Sequence, residues 1–134
     1  MGIYWFETRQ EQAILVLHRC SAVYFELGLM SDITSRQALA MSLVHGLWGE
    51  VHPQLRQASI AADENACIVR LRFEYDGPAE GPPRESCSHA ASEVIADFPC
   101  TWSLDEQHVA VPFPNPLNSL AHLVYRRWEP DDAA

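Results

Sequence analysis

The segment at residues 66–77, ACIVRLRFEYDG, constrains the fold of this chain more than any other. Its apolar side chains alternate with mostly charged ones: Cys67, Val69, Leu71, Phe73 and Tyr75 against Ile68, Arg70, Arg72 and Glu74. Successive side chains of a β-strand point to opposite faces, so this period of two predicts a half-buried strand of an antiparallel sheet. The residues before it, Asp63, Glu64 and Asn65, favour a turn. We therefore expect a hairpin with a strand at 55–62.

The hydrophobic pattern of the rest of the chain predicts a series of helices and strands. Apolar residues with helical spacing predict helices at 7–29, at about 36–49 and at 84–98. Further strands are expected at 101–104 and 107–113, with a turn or bulge at Asp105 and Glu106, and at 120–128. The order α–α–β–β–α–β–β predicts an α+β fold, with an antiparallel sheet of four or more strands and helices on one face.

A length of 134 residues corresponds to a single domain. We expect an extra N-terminal helix within residues 1–31, a core at 32–128 and a frayed tail at 129–134. Neither a signal peptide nor an apolar run of about 20 residues is evident, which predicts a cytoplasmic protein. Cys67 and Cys87 fall on predicted inward faces, as expected of reduced, buried thiols, and a disulfide is the alternative.

No set of side chains matches a known catalytic or metal-binding pattern. Cys87, His89, Cys100 and His108 do not have the spacing of a closed zinc site. The serines, cysteines and histidines lack the local context of an activated nucleophile, and no aromatic groove accompanies the paired carboxylates. The prediction is a protein without catalytic, cofactor-binding or metal-binding residues, which is not an enzyme.

Charge is the most informative property of the composition. All nine basic residues are arginines, against 18 acidic residues, which gives a net charge of −9. This excess opposes binding to nucleic acid or to an anionic membrane. Between Glu74 and Glu106 there are eight acidic residues and one arginine, Arg84. A solvated face would give the same pattern. We interpret this stretch as a surface for a cationic partner, formed by Asp76, Glu80, Glu85, Glu93, Asp97, Asp105, Glu106 and Trp102, with Trp48 and Trp128 as further candidate anchors.

Four segments resemble one protein family: LWGEVHPQLRQASI at 47–60, VRLRFEYDGPAE at 69–80, SEVIADFP at 92–99 and LVYRR at 123–127. They are similar to small acidic bacterial immunity proteins of contact-dependent inhibition and related polymorphic-toxin systems. The resemblance spans about residues 36–128, and residues 1–31 depart from it. It implies an inhibitor that binds a cognate toxin domain in the producing cell. A nuclease with a basic cleft is the expected class of toxin.

Two other functions are compatible with the sequence. One is a self-associating α+β module that binds a small ligand or a housekeeping partner, and the other is a small hydrolase of unrecognised type. A deep pocket with convergent polar side chains would favour either of them. The sequence is compatible with a monomer or a homodimer.

Overall fold

Two helices lie against one face of a four-stranded sheet in the computed structural model, which describes residues 33–130. The elements are α1 (Arg36–Leu47), β1 (Leu55–Asp63), β2 (Ile68–Tyr75), α2 (Gly81–Ala96), β3 (Ser103–Ala110) and β4 (His122–Arg126). This confirms an α+β fold. The helix predicted at 7–29 and residues 131–134 of the predicted tail lie outside the described residues.

The predicted hairpin is present as β1 and β2. The two strands pair antiparallel, with Ile60 opposite Leu71. In the turn, Asp63 Oδ1 accepts a hydrogen bond from the amide of Ala66 at 3.1 Å. Cys67 departs from the prediction: it lies half-buried before the strand with a φ of 51°, so the ladder begins at Ile68. The apolar face of β2 is fully buried, as the alternation predicts: Val69, Leu71, Phe73 and Tyr75.

The sheet is mixed, and the prediction of an entirely antiparallel sheet is wrong. Its strand order is β3-β2-β1-β4, and β3 runs parallel to β2, with Ser103 opposite Ile68 and Ala110 opposite Tyr75. The reason is the helix between them. Since α2 carries the chain back to the end of the sheet where β2 began, the next strand must run in the same direction as β2.

β3 is one continuous strand, without the predicted turn or bulge at Asp105 and Glu106. These residues pair with Arg70 and Leu71 in an unbroken register. Two successive acidic residues favour a turn locally. The hydrogen bonds to β2, together with the contacts of Asp105 with Arg70 and of Glu106 with Ser88, outweigh that local preference. The strand ends at Ala110, before the prolines of the following segment.

The two helices approach each other closely. A Cβ at Gly46 would lie 2.7 Å from the carbonyl oxygen of Ala90, so glycine permits this contact. The hydroxyl of Ser35 caps α1 by accepting from the amide of Ala38 at 3.1 Å. α1 ends at Leu47, earlier than predicted, and Gly49 follows with a φ of 76°. α2 begins at Gly81 and ends at Ala96, with proline in its first turn, so both ends lie upstream of their predicted positions.

Residues 111–121, here called the crossing loop, cover the opposite face of the sheet. They connect β3 and β4, which lie at opposite edges, and must therefore pass across β2 and β1. The amide of Asn118 donates to Glu74 Oε1 at 2.7 Å, and the amide of Leu120 donates to Ser59 Oγ at 2.9 Å. These bonds explain why polar side chains are buried on the face that the sequence assigned to solvent.

Candidate partner-binding surface

Four arginines lie on the loop-covered side of the sheet and are paired there. A register shift between Leu55 and Gln57 in β1 lets Arg56 reach this side, where its Nε lies 2.6 Å from Glu129 Oε2. Arg127 Nη2 lies 2.7 Å from Asp76 Oδ2. The other pairs are Arg70 with Asp63 and Asp105, Arg72 with Glu74, and Arg127 with Glu129. The carboxylates on this side are thus largely neutralised.

Hydrogen bonding keeps two of these carboxylates ionised. The bond from Arg127, followed by the bond from the Phe113 amide, lowers the pKa of Asp76. The bond from Arg56 is the main cause that lowers the pKa of Glu129, and it also raises the pKa of Arg56 itself. This cluster fastens the crossing loop and the end of β4 to the sheet, which is a structural role.

Unpaired carboxylates lie on the helical side instead. Glu85 and Glu93 are exposed on α2, and Asp97 follows at its C-cap, so that the three share one side of the helix. We refer to Glu85, Glu93 and Asp97 as the acidic stripe. Within the described region, neither Glu85 nor Glu93 has a hydrogen-bonding or ion-pairing partner, whereas Asp97 Oδ2 accepts a hydrogen bond from Ser42 Oγ at 2.7 Å. Glu80, at the start of α2, is also exposed.

Besides the bond between Ser42 and Asp97, a second contact that involves a carboxylate connects α1 and its following turn to α2. Glu50, in the turn after α1, places Oε1 3.7 Å from Nδ1 of His89, which lies between Glu85 and Glu93 on α2. The carboxylates on the helical side are Glu50, Glu80, Glu85, Glu93, Asp97 and Glu106, and the arginines on the helices are Arg36 and Arg84. The two sides of the sheet therefore differ in charge, because the paired arginines are concentrated on the other one.

The predicted partner residues separate into three groups. Glu80, Glu85, Glu93 and Asp97 lie together along α2. Asp76 and Asp105 lie on the other side of the sheet and are paired with arginines. Glu106 lies beside α2, where it accepts from Ser88, and Trp102 is 6% exposed and packs against Phe98. Among these predicted residues, only the first group has carboxylates that are free or held by a single described hydrogen bond.

A partly buried polar network connects β2, β3 and α2, and sequence spacing did not reveal it. The hydroxyl of Tyr75 lies 2.7 Å from His108 Nδ1, and His108 Nε2 lies 2.9 Å from Glu106 Oε1. Burial raises the pKa of Tyr75 and raises that of Cys87 to about 11. Because Cys87 is fully buried and held in its thiol form, it cannot act as an accessible nucleophile at neutral pH.

An apolar groove lies on the outer side of α1, above the edge strand β4. It has a volume of about 180 Å³ and is lined by Val44, Leu47, Trp48, Val51, Val124 and Tyr125. Trp48 is 70% exposed and stacks at a tilt on His45, with ring centroids 4.6 Å apart. A register shift in β4 lets the adjacent residues Val124 and Tyr125 both line this groove. The tryptophan was a sequence candidate, but the groove depends on that shift.

The described residues contain no group of three or more histidine, cysteine, aspartate or glutamate side chains arranged to hold a metal ion. Neither α1 nor α2 has the length and apolar character needed to cross a lipid bilayer.

Comparison with known proteins supports the resemblance seen in the sequence. A family model described as MafI2 immunity protein matches residues 36–129, which is nearly the range over which the resemblance was noted. The match includes both helices and all four strands described above. No curated protein matches the chain. The match covers well over half of the sequence, and the chain belongs to the MafI2 immunity protein family.

Proposed function

We propose that this immunity protein neutralises a cognate toxin domain by binding it, without catalysis, and that the acidic stripe contacts a basic surface of the toxin. The observation that carries the proposal is the separation of charge in the fold. Arginines and carboxylates are paired beneath the crossing loop, whereas Glu85 and Glu93 remain free on α2. A free carboxylate can form a new ion pair with a partner without first breaking one.

The expected class of toxin is a nuclease. A nuclease cleft must attract the phosphates of its substrate, so it carries positive charge. Carboxylates on a helix can occupy the positions of phosphates in such a cleft and exclude the substrate. Complementary charges also raise the rate of association, which suits an inhibitor that must bind before the toxin acts.

The toxin domain encoded beside the gene provides the test. Wild-type protein and a Glu85→Arg/Glu93→Arg variant are compared for affinity and association rate at low and high salt, and for protection of cells that express the toxin. We expect the variant to associate at least ten-fold more slowly at low salt and to lose most of its salt dependence. Nuclease activity is measured with and without the inhibitor.

A single charge reversal elsewhere, Glu64→Arg in the hairpin turn, is the control for net charge, alongside the single variant Glu93→Arg. Absence of a complex with the wild-type protein would overturn the proposed function. A complex that forms equally fast with the α2 variant would remove the acidic stripe from the interface. A toxin domain that binds the protein but does not cleave nucleic acid would refute the nuclease assignment.

A further inference from the structure

One short turn connects the apolar groove to α2, the helix that carries the acidic stripe. Trp48 and Val51 line the groove, and Glu50, between them in the chain, contacts His89 on α2. The turn at 48–51 therefore joins an apolar surface above β4 to the acidic surface of α2. This juxtaposition is the observation on which the inference rests.

The size of the groove favours a protein side chain as its occupant. Its volume of about 180 Å³ is smaller than the roughly 300–1,000 Å³ typical of small-molecule sites. The side chains that line it are almost all apolar, so few groups are available to orient a polar metabolite. One large aliphatic or aromatic side chain has suitable dimensions and chemistry.

Exposure of the groove is also unusual for a surface without a partner. Trp48 and Val51 in the groove are 70% and 43% exposed, and Met41, two turns earlier on α1, is 51% exposed. Contiguous exposed apolar side chains on a soluble protein are a feature of interaction sites. Tryptophan is enriched among the residues that contribute most to protein interfaces, especially where surrounding contacts exclude water.

The adjacent charge indicates the chemistry of the partner. Glu50 lies in the same turn as Trp48 and Val51, which line the groove, and its contact with His89 connects this turn to α2, the helix that carries the acidic stripe. A complementary surface presents an apolar side chain with lysine or arginine next to it. Resting on the proposed function, we infer that the toxin domain inserts a projecting aliphatic or aromatic side chain into this groove while its adjacent basic residues contact the acidic stripe.

The test compares two exposed tryptophans in the full chain. Trp48→Ala removes the wall of the groove, and Trp128→Ala removes a ring that is 86% exposed and does not line it. We expect Trp48→Ala to weaken binding of the toxin domain at least ten-fold, mainly through faster dissociation, with the salt dependence of association unchanged. We expect Trp128→Ala to change affinity less than three-fold. The melting temperature and solution mass of each variant are measured alongside.

The outcomes separate this inference from the proposed function. If the wild-type protein binds no toxin domain, the proposed function fails and the inference fails with it. If the wild-type protein binds and Trp48→Ala binds equally well, only the inference is overturned. Two further results with unchanged toxin affinity would also overturn it. A lower melting temperature of Trp48→Ala would indicate that another segment of the same chain occupies the groove. Conversion of a dimer to a monomer would indicate that a second copy of the protein occupies it.

Discussion

Arg56 and Glu129 form a two-bond ion pair across 73 positions of sequence, with Nε 2.6 Å from Oε2 and Nη2 2.9 Å from Oε1. The Arg56 side chain is 3% exposed and also donates to the backbone carbonyls of Val111 and Asn115. One buried guanidinium thus connects β1, the crossing loop and the segment after β4. A buried charge of this kind depends on all of its partners.

Glu129→Ala leaves that guanidinium without its carboxylate. We expect the free energy of unfolding to fall by about 3 kcal/mol, because removing one partner of a buried ion pair leaves the other charge buried without compensation. Breaking an exposed pair would cost much less. Urea denaturation measures the loss. The control is Glu85→Ala, an exposed carboxylate without a described partner, which we expect to change stability by about 0.5 kcal/mol or less. A loss for Glu129→Ala as small as that of the control would show that the pair is dispensable.

Stability is expected to fall in acid through the same cluster. Asp76 and Glu129 have pKa values below their ordinary 3.8 and 4.5, so the unfolded chain binds more protons and stability rises with pH. Their contribution is complete above about pH 5 and is lost as the pH falls below about 4.5. Melting temperatures at pH 7, 5, 4 and 3 test this. Glu129→Ala should decline less steeply than wild type between pH 5 and 3, and equal slopes would assign acid sensitivity to other groups.

The sequence predicts those features of the fold that depend only on local geometry. Alternation along β2 predicts the burial of Phe73 and Tyr75, since the period of two depends only on strand geometry. The resemblance likewise marks the range of the family match. The predicted direction of β3 is wrong because the direction depends on the path of α2, which no local pattern specifies. The turn predicted at two adjacent acidic residues is also wrong, since the sequence does not show which residues they contact in the folded sheet.

The charged residues show a similar limit. Glu74 occupies a predicted solvent-facing position of β2, yet it is fully buried, because the crossing loop covers that face. Arg56 finds its partner 73 residues later. No spacing rule relates residues so far apart, so the sequence count of eight acidic residues could not show that Glu85 and Glu93 are free while Asp76 is paired.

Gly46→Ala tests the contact between the helices. Within a helix, alanine is favoured over glycine by about 1 kcal/mol, but here the new Cβ would lie 2.7 Å from a backbone oxygen of α2. Because a backbone atom cannot rotate away, the helices must separate, and we expect a net destabilisation of about 1–3 kcal/mol. Gln37→Ala, at an exposed position of the same helix, is the control and should be nearly neutral. A stabilised Gly46→Ala variant would contradict the close packing.

Cys87 should resist thiol reagents in the native state. It is fully buried, and its pKa of about 11 leaves little thiolate at pH 8. Treatment with iodoacetamide at pH 8, followed by peptide mass mapping, should leave Cys87 unmodified, whereas the same treatment in guanidinium chloride should modify it. Rapid labelling of Cys87 under native conditions would mean that α2 opens readily from the sheet.

The anchorage of the crossing loop depends on Glu74. Its carboxylate accepts from Gln57 Nε2 and from the Asn118 amide, each at 2.7 Å, and Arg72 Nε lies 3.5 Å away. Glu74→Ala leaves these donors without an acceptor, so we expect a loss of about 3 kcal/mol and faster hydrogen exchange at Asn118. Arg70→Ala, which breaks a half-exposed pair on the same strand, should cost less than about 1 kcal/mol. Similar losses for both variants would mean that burial of Glu74 adds nothing to the attachment of the loop.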